Sequence, residues 1–246
     1  MRDLSSALLL GLLLCCSGTG VAAPSVPIPC ESRDLGFDRK EVRWVHVPLS
    51  RLKRDTVYAP VPDGDRRGVL RATADGSASL YATMLKAALR TPMRLSWEWR
   101  TDALIPGADN RDKSREDAPL RVLVSFDGDQ GTLSREERAR FRRARNVSGR
   151  DLPYALLMYI WTDFVPVGSV IPSAHTGQVK MLAVASGRDG IGSWQSVTRN
   201  LADDYRRAFG MDPGPVIGIA VMTDTDNTGA KAIGEYAGIR IACGGG

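Results

Sequence analysis

The chain has 246 residues, of which 43% are hydrophobic and 25% are charged, with 33 Lys and Arg against 28 Asp and Glu. These proportions are ordinary for a globular protein with a hydrophobic core. The 25 Gly and 14 Pro are spread along the chain, which argues against a helical bundle and favours short elements joined by turns.

The first 22 residues have the pattern of an export signal. Residues 7–16 form an apolar run that is too short to span a bilayer, and small residues follow it up to a cleavage position after Ala22. We therefore expect a signal peptide over residues 1–22 and an exported mature protein, periplasmic or extracellular. A lipoprotein is less favoured, because neither Cys15 nor Cys16 follows a small residue.

A Pro-rich leader over residues 23–42 precedes a single predicted domain over residues 43–246. The mature chain keeps two cysteines, Cys30 in the leader and Cys243 in the last predicted strand. One cysteine near each end of an exported chain predicts a disulfide between them. Two separate buried thiols are the alternative.

Short apolar or alternating runs predict nine strands, over residues 43–47, 69–74, 79–85, 93–102, 120–126, 154–161, 179–185, 215–223 and 235–242. The runs 154–161 and 216–222 are apolar on both faces, so we expect central strands that are covered on both sides. Residues 134–145 and 197–210 have helical periodicity. This set of elements predicts a mainly β fold, an antiparallel β-sandwich of jelly-roll type with two short helices.

The predicted strand over residues 93–102 alternates most cleanly. Trp97 and Trp99 share one face with aliphatic residues, and we interpret them as core and not as a sugar-stacking pair. Glu98 and Arg100 lie on the opposite face. They could contact a hydroxyl-rich or anionic ligand, or form cross-strand salt bridges that contribute little.

The loop over residues 107–117 follows this strand and is dense in charge. Its carboxylate and amide side chains, Asp109, Asn110 and Asp112, are candidate ligand contacts, because the loop could line the same rim as Glu98. A solvated loop without a function is the alternative.

The helix predicted over residues 134–145 begins with the capping-box spacing of Ser134 and Glu137 and is rich in arginine. Nucleic-acid binding is disfavoured by the export signal and by two glutamates in the helix. An exposed helix is expected instead, and any partner would be an anionic polysaccharide or a lipid headgroup.

Acidic and polar residues close the apolar run near the C-terminus. Asp224, Asp226 and Thr228 have the spacing of positions 1, 3 and 5 of a calcium-binding EF-hand loop, with Glu235 at position 12. The loop leaves a strand and not a helix, which argues against calcium. A functional site without metal, including Asn227, and a structural turn between two strands are the alternatives.

Conventional catalytic motifs are missing from the sequence. It has two histidines, His46 and His175, and neither a nucleophile elbow, a phosphate-binding loop nor a dinucleotide fingerprint. A carboxylate pair of Glu98 with Asp224 or Asp226 would support glycan hydrolysis if the two groups met in one cleft.

Five segments together resemble the bacterial domain-of-unknown-function 3047 family: "LSWEWRTD", "GADNRDKSREDAPLRVLVSFDGD", "LPYALLMYIW", "SWQSVTRNLADDYRRAFG" and "GIAVMTDTDNTGAKAIGEYAGIRI". They occur in the family's order over roughly residues 69–241. The resemblance implies an exported or envelope-associated β-sandwich and no particular activity. The pattern is also similar to concanavalin-like and galactose-binding-like sandwiches, which is an analogy of fold.

These features predict a non-catalytic protein that binds a carbohydrate or an anionic envelope polymer. The expected contacts are Glu98, Arg100, Asp224, Asp226 and Asn227, with calcium as the one possible cofactor. The alternatives are a glycan-processing enzyme that uses the carboxylate pair, and a structural envelope protein without a small ligand. No nucleic-acid partner and no further membrane span are expected.

Overall fold

The computed structural model describes residues 32–50, 52–89, 93–148, 151–173 and 176–243. The predicted export signal, Cys30 and His175 lie outside these residues, so the predicted disulfide between Cys30 and Cys243 stays a prediction. In the described ranges, no helix is long and apolar enough to cross a membrane.

The elements follow one another as β1 (Arg33–Asp34), β2 (Trp44–Pro48), β3 (Val57–Asp63), β4 (Arg66–Asp75), β5 (Ser79–Leu89), β6 (Met93–Thr101), β7 (Ala118–Phe126), a 3-10 turn (Gln130–Thr132), α1 (Arg135–Ser148), β8 (Ala155–Thr162), β9 (Val170–Pro172), β10 (Val179–Ser186), β11 (Gln195–Asn200), α2 (Leu201–Phe209), β12 (Val216–Asp224) and β13 (Lys231–Cys243).

The strands form two sheets that pack face to face. The first sheet has the order β11-β6-β13-β4-β3, with the short β1 paired to β13, and the second has the order β2-β5-β12-β7-β8-β10-β9. All pairings between these strands are antiparallel except that of β8 with β10, which is parallel. The predicted mainly β sandwich with two helices is confirmed, and β8 and β12 are central strands as their apolar sequences indicate.

The core lies between the two sheets and is rich in aromatic rings. Trp97 and Trp99 of β6 are at most 1% exposed and meet edge to face, with ring centroids 5.4 Å apart. Tyr159 and Trp161 of β8 contact them from the second sheet. Such pairs add about 0.5–1.5 kcal/mol each beyond the area they bury. The interpretation of the two β6 tryptophans as core is confirmed.

The predicted helix over residues 197–210 starts later than expected. Residues 195–200 form β11, which pairs with β6. Asn200 then caps α2, since its side chain accepts hydrogen bonds from the N–H groups of Ala202 and Asp203. Gly210 ends the helix with φ 74°, a conformation that favours glycine.

The strand β3 was missed because Pro60 and Pro62 lie within it. A proline cannot donate to a β-ladder, so two prolines argue against a strand in the middle of a sheet. β3 lies at the edge of the first sheet, where unpaired N–H positions face outward and proline is tolerated.

Candidate ligand-binding groove

The outer face of the second sheet carries a groove with an apolar floor. Alternation along β5, β7, β8 and β12 directs Leu80, Leu123, Met158 and Met222 away from the core, while their neighbours pack between the sheets. A cavity of about 350 Å³ lies over these four side chains. Leu123 and Met222 are 1% and 6% exposed at the bottom of this cavity, and Leu80 and Met158 are partly exposed. The outer face of an antiparallel sheet is usually polar when it faces water, so partly exposed apolar side chains here mark a candidate contact surface.

A second cavity of about 270 Å³ continues the groove towards α1. The two cavities share Leu156, Thr176 and Val179 in their linings. Phe141 of α1 and Leu152 complete the far part. The groove therefore runs from the end of β12 to the helix.

A buried ion pair forms the floor of the groove at the β12 end. Arg121 Nε lies 2.7 Å from Asp224 Oδ1, and Arg121 Nη2 lies 3.1 Å from Asp224 Oδ2. The two residues are 2% and 4% exposed. Burial raises the pKa of Asp224 to about 6, against the lowering effect of the Arg121 guanidinium. Asp224 is therefore ionised and paired with Arg121 at neutral pH.

At the same end of the groove, the buried Asp117 connects the loop between β6 and β7 with the turn between β12 and β13; it is 1% exposed. The Asp117 carboxylate accepts hydrogen bonds from the backbone N–H groups of Asn227, at 3.2 Å, and Thr228, at 2.7 Å. It also accepts one from the Thr228 hydroxyl, at 2.6 Å. Asn110 Nδ2 donates to the carbonyl of Asp117 at 2.9 Å. The loop after β6 is thus held against the turn between β12 and β13.

Three carboxylates meet at this end of the groove. One oxygen from each lies within 4.8 Å of one oxygen from each of the others, and the residues are Asp117, Asp224 and Asp226. These oxygens already have partners, because Asp224 pairs with Arg121 and Asp226 pairs with Lys53. The positive side chains of Arg121 and Lys53 therefore occupy the position that a cation would need.

The remaining positions of the predicted calcium loop do not converge on these oxygens either. Thr228 donates its hydroxyl to Asp117 and does not offer it to an ion. Glu235, at position 12 of the spacing, lies on the first sheet and pairs with Arg71 and Arg100. These residues fit a structural turn and do not fit a calcium loop.

Glu98 and Arg100 lie elsewhere, on the outer face of the first sheet. Glu98 pairs with Arg66, and Arg100 Nε lies 2.6 Å from Glu235 Oε2. The predicted common site with Asp224 and Asp226 is therefore wrong, because the two groups of side chains point outward from opposite faces of the sandwich. Sheets pack about 10 Å apart, so a carboxylate pair of Glu98 with Asp224 does not share a cleft.

Trp194 is the partly exposed aromatic residue of that first-sheet face. Its indole Nε1 donates to Asp63 Oδ2 at 2.7 Å. The guanidinium carbons of Arg66 and Arg100 lie 4.6 and 5.0 Å from its ring centroid. Its polar and ring groups are engaged within the protein, which indicates a structural role for this face.

The candidates Asp109 and Asp112 bond within their own loop. Asp109 pairs with Arg111 at 3.0 Å. Hydrogen bonds from Ser114 and Arg115 lower the pKa of Asp112 to about 2. These two aspartates fix the shape of the loop, and the buried Asn110 joins the loop to the Asp117 carbonyl. None of the three predicted residues lines the cavity.

Sequence reasoning missed Arg121, Asp117 and Lys53. A signal for Arg121 was present, because it is the single charged residue in the apolar run "LRVLVSF". A charge in a strand that is otherwise apolar on both faces requires a buried partner or a site. Asp117 and Lys53 had no such signal, since they lie in charged loops.

A family model described as "Protein of unknown function (DUF3047)" matches residues 42–240. No curated protein matches the sequence significantly.

Among solved structures, the family 11 carbohydrate-binding module of the cellulosomal cellulase Lic26A-Cel5E of Clostridium thermocellum is similar, with 8% identity, a TM-score of 0.44, and 88% of this chain and 96% of the module covered. The xyloglucanase domain of NopAA, a type three effector from Sinorhizobium fredii, has 10% identity and a TM-score of 0.43, with 89% and 99% covered. A cyclase from Fischerella sp. TAU has 11% identity and a TM-score of 0.33, with 89% and 97% covered.

Proposed function

The chain belongs to the DUF3047 family, and we propose that it is a non-catalytic protein that binds a carbohydrate chain in the groove on the outer face of the second sheet. The observation that carries this proposal is the groove itself, a cavity of about 350 Å³ with an aliphatic floor and a hydrogen-bonding end. In this proposal residues 1–22 are removed on export, and the domain that begins near residue 43 meets its ligand outside the cytoplasm.

The composition of the groove suits a polyhydroxylated ligand. Sugar rings present C–H faces and hydroxyl edges, so they need an apolar surface together with hydrogen-bond donors and acceptors. The partly exposed Leu156, Met158 and Val179 supply apolar surface. Lys53, Asp226 and Asn227 supply donors and acceptors at the groove end. The charged residues that line this part are Lys53, Lys113, Arg121, Glu116, Asp224 and Asp226. Their charges balance, which favours a ligand segment without net charge here.

The state of Asp224 supports binding without catalysis. A general acid in a glycosidase needs a carboxyl group with a raised pKa within hydrogen-bond reach of the ligand. The pKa of Asp224 is raised, but both its oxygens contact Arg121 and the residue is 4% exposed. It therefore has no free oxygen to protonate a glycosidic bond.

A second candidate is the binding of an amphiphile with an acyl chain. The described lining of the 350 Å³ cavity contains Leu, Met and Val side chains and no aromatic ring. Aromatic stacking is a common source of affinity for sugars, whereas methionine and leucine adapt well to flexible apolar chains. The two candidates use the same groove and differ in the ligand.

The test uses the mature protein with a glycan array and with fluorescent fatty acids, followed by calorimetry on any hit. Val179 joins the two cavities, so Val179→Glu places a charge in the middle of the groove. Val57→Glu is the matched control, because Val57 is 64% exposed on β3 of the first sheet. We expect a glycan ligand whose binding is lost in Val179→Glu and kept in Val57→Glu.

Each other result has a defined meaning. Binding of fatty acids alone would replace the carbohydrate by an amphiphile. Glycan binding that survives Val179→Glu would remove the groove as the site. A wild-type protein that binds neither ligand class would favour a structural envelope protein.

A further inference from the structure

We propose that the polymer in the groove carries acidic groups, which an arginine surface on α1 binds where the groove ends. The arginine surface consists of Arg135, Arg138, Arg142 and Arg145. This inference rests on the proposed function and adds to it the charge of the ligand, with a carboxylate, sulfate or phosphate substituent as the group recognised.

The arginine surface is one side of the helix. Spacings of three, four and three residues place the four side chains next to one another along α1. All four residues are exposed. The helix contains six arginines against two glutamates, and Glu137 is turned towards the sandwich, where it accepts hydrogen bonds from the Thr176 hydroxyl at 2.8 Å and the Gly177 N–H at 3.0 Å.

The positive charge of this surface is poorly compensated by the protein. Arg138 donates to the backbone carbonyls of Gly131 and Leu133, which carry no net charge. Arg145 lies 3.3 Å from Asp151, but both side chains are about two-thirds exposed, at 67% and 68%, so this pair is weak. Arg142 has no ion pair within the described part of the chain.

Three of these arginines surround a small cavity. Arg138, Arg142 and Arg145 line a volume of about 130 Å³ together with Gln130 and with Asp151, so the lining has three positive side chains and one negative one. This volume is roughly that of four water molecules, which is enough for one carboxylate, sulfate or phosphate group. Guanidinium groups bind such groups through two parallel hydrogen bonds, so the cavity has the chemistry of an anion site.

The cavity adjoins the groove. Phe141 and Leu152 line both the 130 Å³ cavity and the 270 Å³ cavity beside it. That second cavity shares Leu156, Thr176 and Val179 with the 350 Å³ cavity. A single extended chain can therefore lie on the apolar floor and place its substituents at the arginines.

A polymer fits this arrangement better than an anionic bilayer. Helices that lie on membranes insert an apolar face between the headgroups. Phe141, the one aromatic residue of α1, is 9% exposed and lines the cavities beneath the helix, so it is not available for insertion. A flat bilayer would also touch the helix without entering the groove.

The test compares polygalacturonate with its methyl ester, which has the same backbone without the charge, and includes alginate and vesicles rich in phosphatidylglycerol. The variant is Arg142→Gln/Arg145→Gln. Its matched control is Arg67→Gln/Arg240→Gln, which removes two exposed arginines from the first sheet. Affinity is measured by calorimetry at low and at physiological salt, with circular dichroism to check the fold.

We expect the acidic polymers to bind more tightly than the methyl ester and to weaken with salt. The α1 variant should lose about 5- to 20-fold in affinity for them, and the control variant less than about 2-fold. Equal affinity for polygalacturonate and its methyl ester would overturn the inference that acidic groups are recognised, and so would an α1 variant with the affinity of wild type. Either result would leave the proposal of groove binding intact. Failure of these polymers while other glycans of the array bind would overturn the acidic-group inference alone, and failure of the whole array as well would overturn both. A preference for vesicles would replace the polymer by a membrane surface.

Discussion

Replacing Asp224 by alanine should destabilise the fold strongly at neutral pH. The substitution removes the two contacts to Arg121, at 2.7 and 3.1 Å, and one hydrogen bond from the Ala118 N–H at 3.2 Å. Arg121 stays 2% exposed with the Glu116 carbonyl, at 2.6 Å, as its remaining oxygen acceptor. Breaking a buried pair from one side costs about 3–5 kcal/mol, because it leaves a charge buried without a partner.

The loss is measured by urea unfolding, followed by the fluorescence of the five tryptophans. For a domain of this size, 1 kcal/mol corresponds to a change in Tm of about 2–4 °C, so Asp224→Ala should melt about 6–20 °C lower. Arg121→Met/Asp224→Ala is the informative partner variant. Arg121 Nη1 lies 3.7 Å from the Met158 sulfur and 3.4 Å from the Met181 sulfur, so a methionine at position 121 would pack against two apolar side chains.

The double variant should recover most of the stability and lose less than about 2 kcal/mol, because neither member of the pair is then left as an unpaired buried charge. A loss below about 1 kcal/mol for Asp224→Ala would show that Arg121 reaches water and that the floor of the groove is not closed. A double variant as unstable as the sum of its single variants would show that the two side chains do not interact.

Three further results are expected. Added calcium or chelator should leave the Tm unchanged within error, since Asp224 and Asp226 are already paired with Arg121 and Lys53. A Tm that rises with millimolar calcium would support a calcium site instead. Burial raises the pKa of Asp224 from its ordinary 3.8 to about 6, so protonation of this group stabilises the fold fully below pH 4, and this stabilisation is lost as pH rises through 6. The free energy of unfolding of wild type should therefore rise relative to that of Asp224→Asn between pH 7 and pH 5. A difference between the two proteins that does not change with pH would contradict this. Trp194→Phe should cost about 1–2 kcal/mol through the lost bond to Asp63 and the weaker contact with two guanidinium groups, yet leave groove affinity unchanged by calorimetry.

Local sequence patterns were sufficient for most of the fold. The clean alternation of β6 placed Trp97 in the core and Glu98 outside it, and the continuous apolar runs identified β8 and β12 as central strands. These predictions succeed because side-chain direction along a strand follows a period of two. The capping of α1 was also readable, since Ser134 Oγ accepts from the Glu137 N–H at 3.1 Å.

The sequence did not predict which residues come together in the candidate site. Glu98 and Asp224 both end up on outward faces, but β6 belongs to the first sheet and β12 to the second. Strand pairing joins residues far apart in the chain, and no local pattern states which sheet a strand enters. The outward-facing Ala220 and Met222 of β12 are 7% and 6% exposed, so this strand is covered on both faces as its apolar sequence indicates. The groove beside it depends on loops whose paths the sequence does not specify.

The turn after β12 shows how a motif can have the right spacing and the wrong chemistry for an ion. Asp224 neutralises Arg121, and Asp117 binds the turn's own amide groups, so these two acids fix the position of the loops at the end of the groove. The Asp226 carboxylate is 14% exposed, whereas its partner Lys53 is 41% exposed. The Lys53 ammonium and the Asp226 carboxylate neutralise each other, so this end of the groove carries no net charge in spite of the acidic sequence. The poorly compensated positive charge therefore lies at the other end of the groove, on the arginines of α1, and the apolar floor separates the two ends.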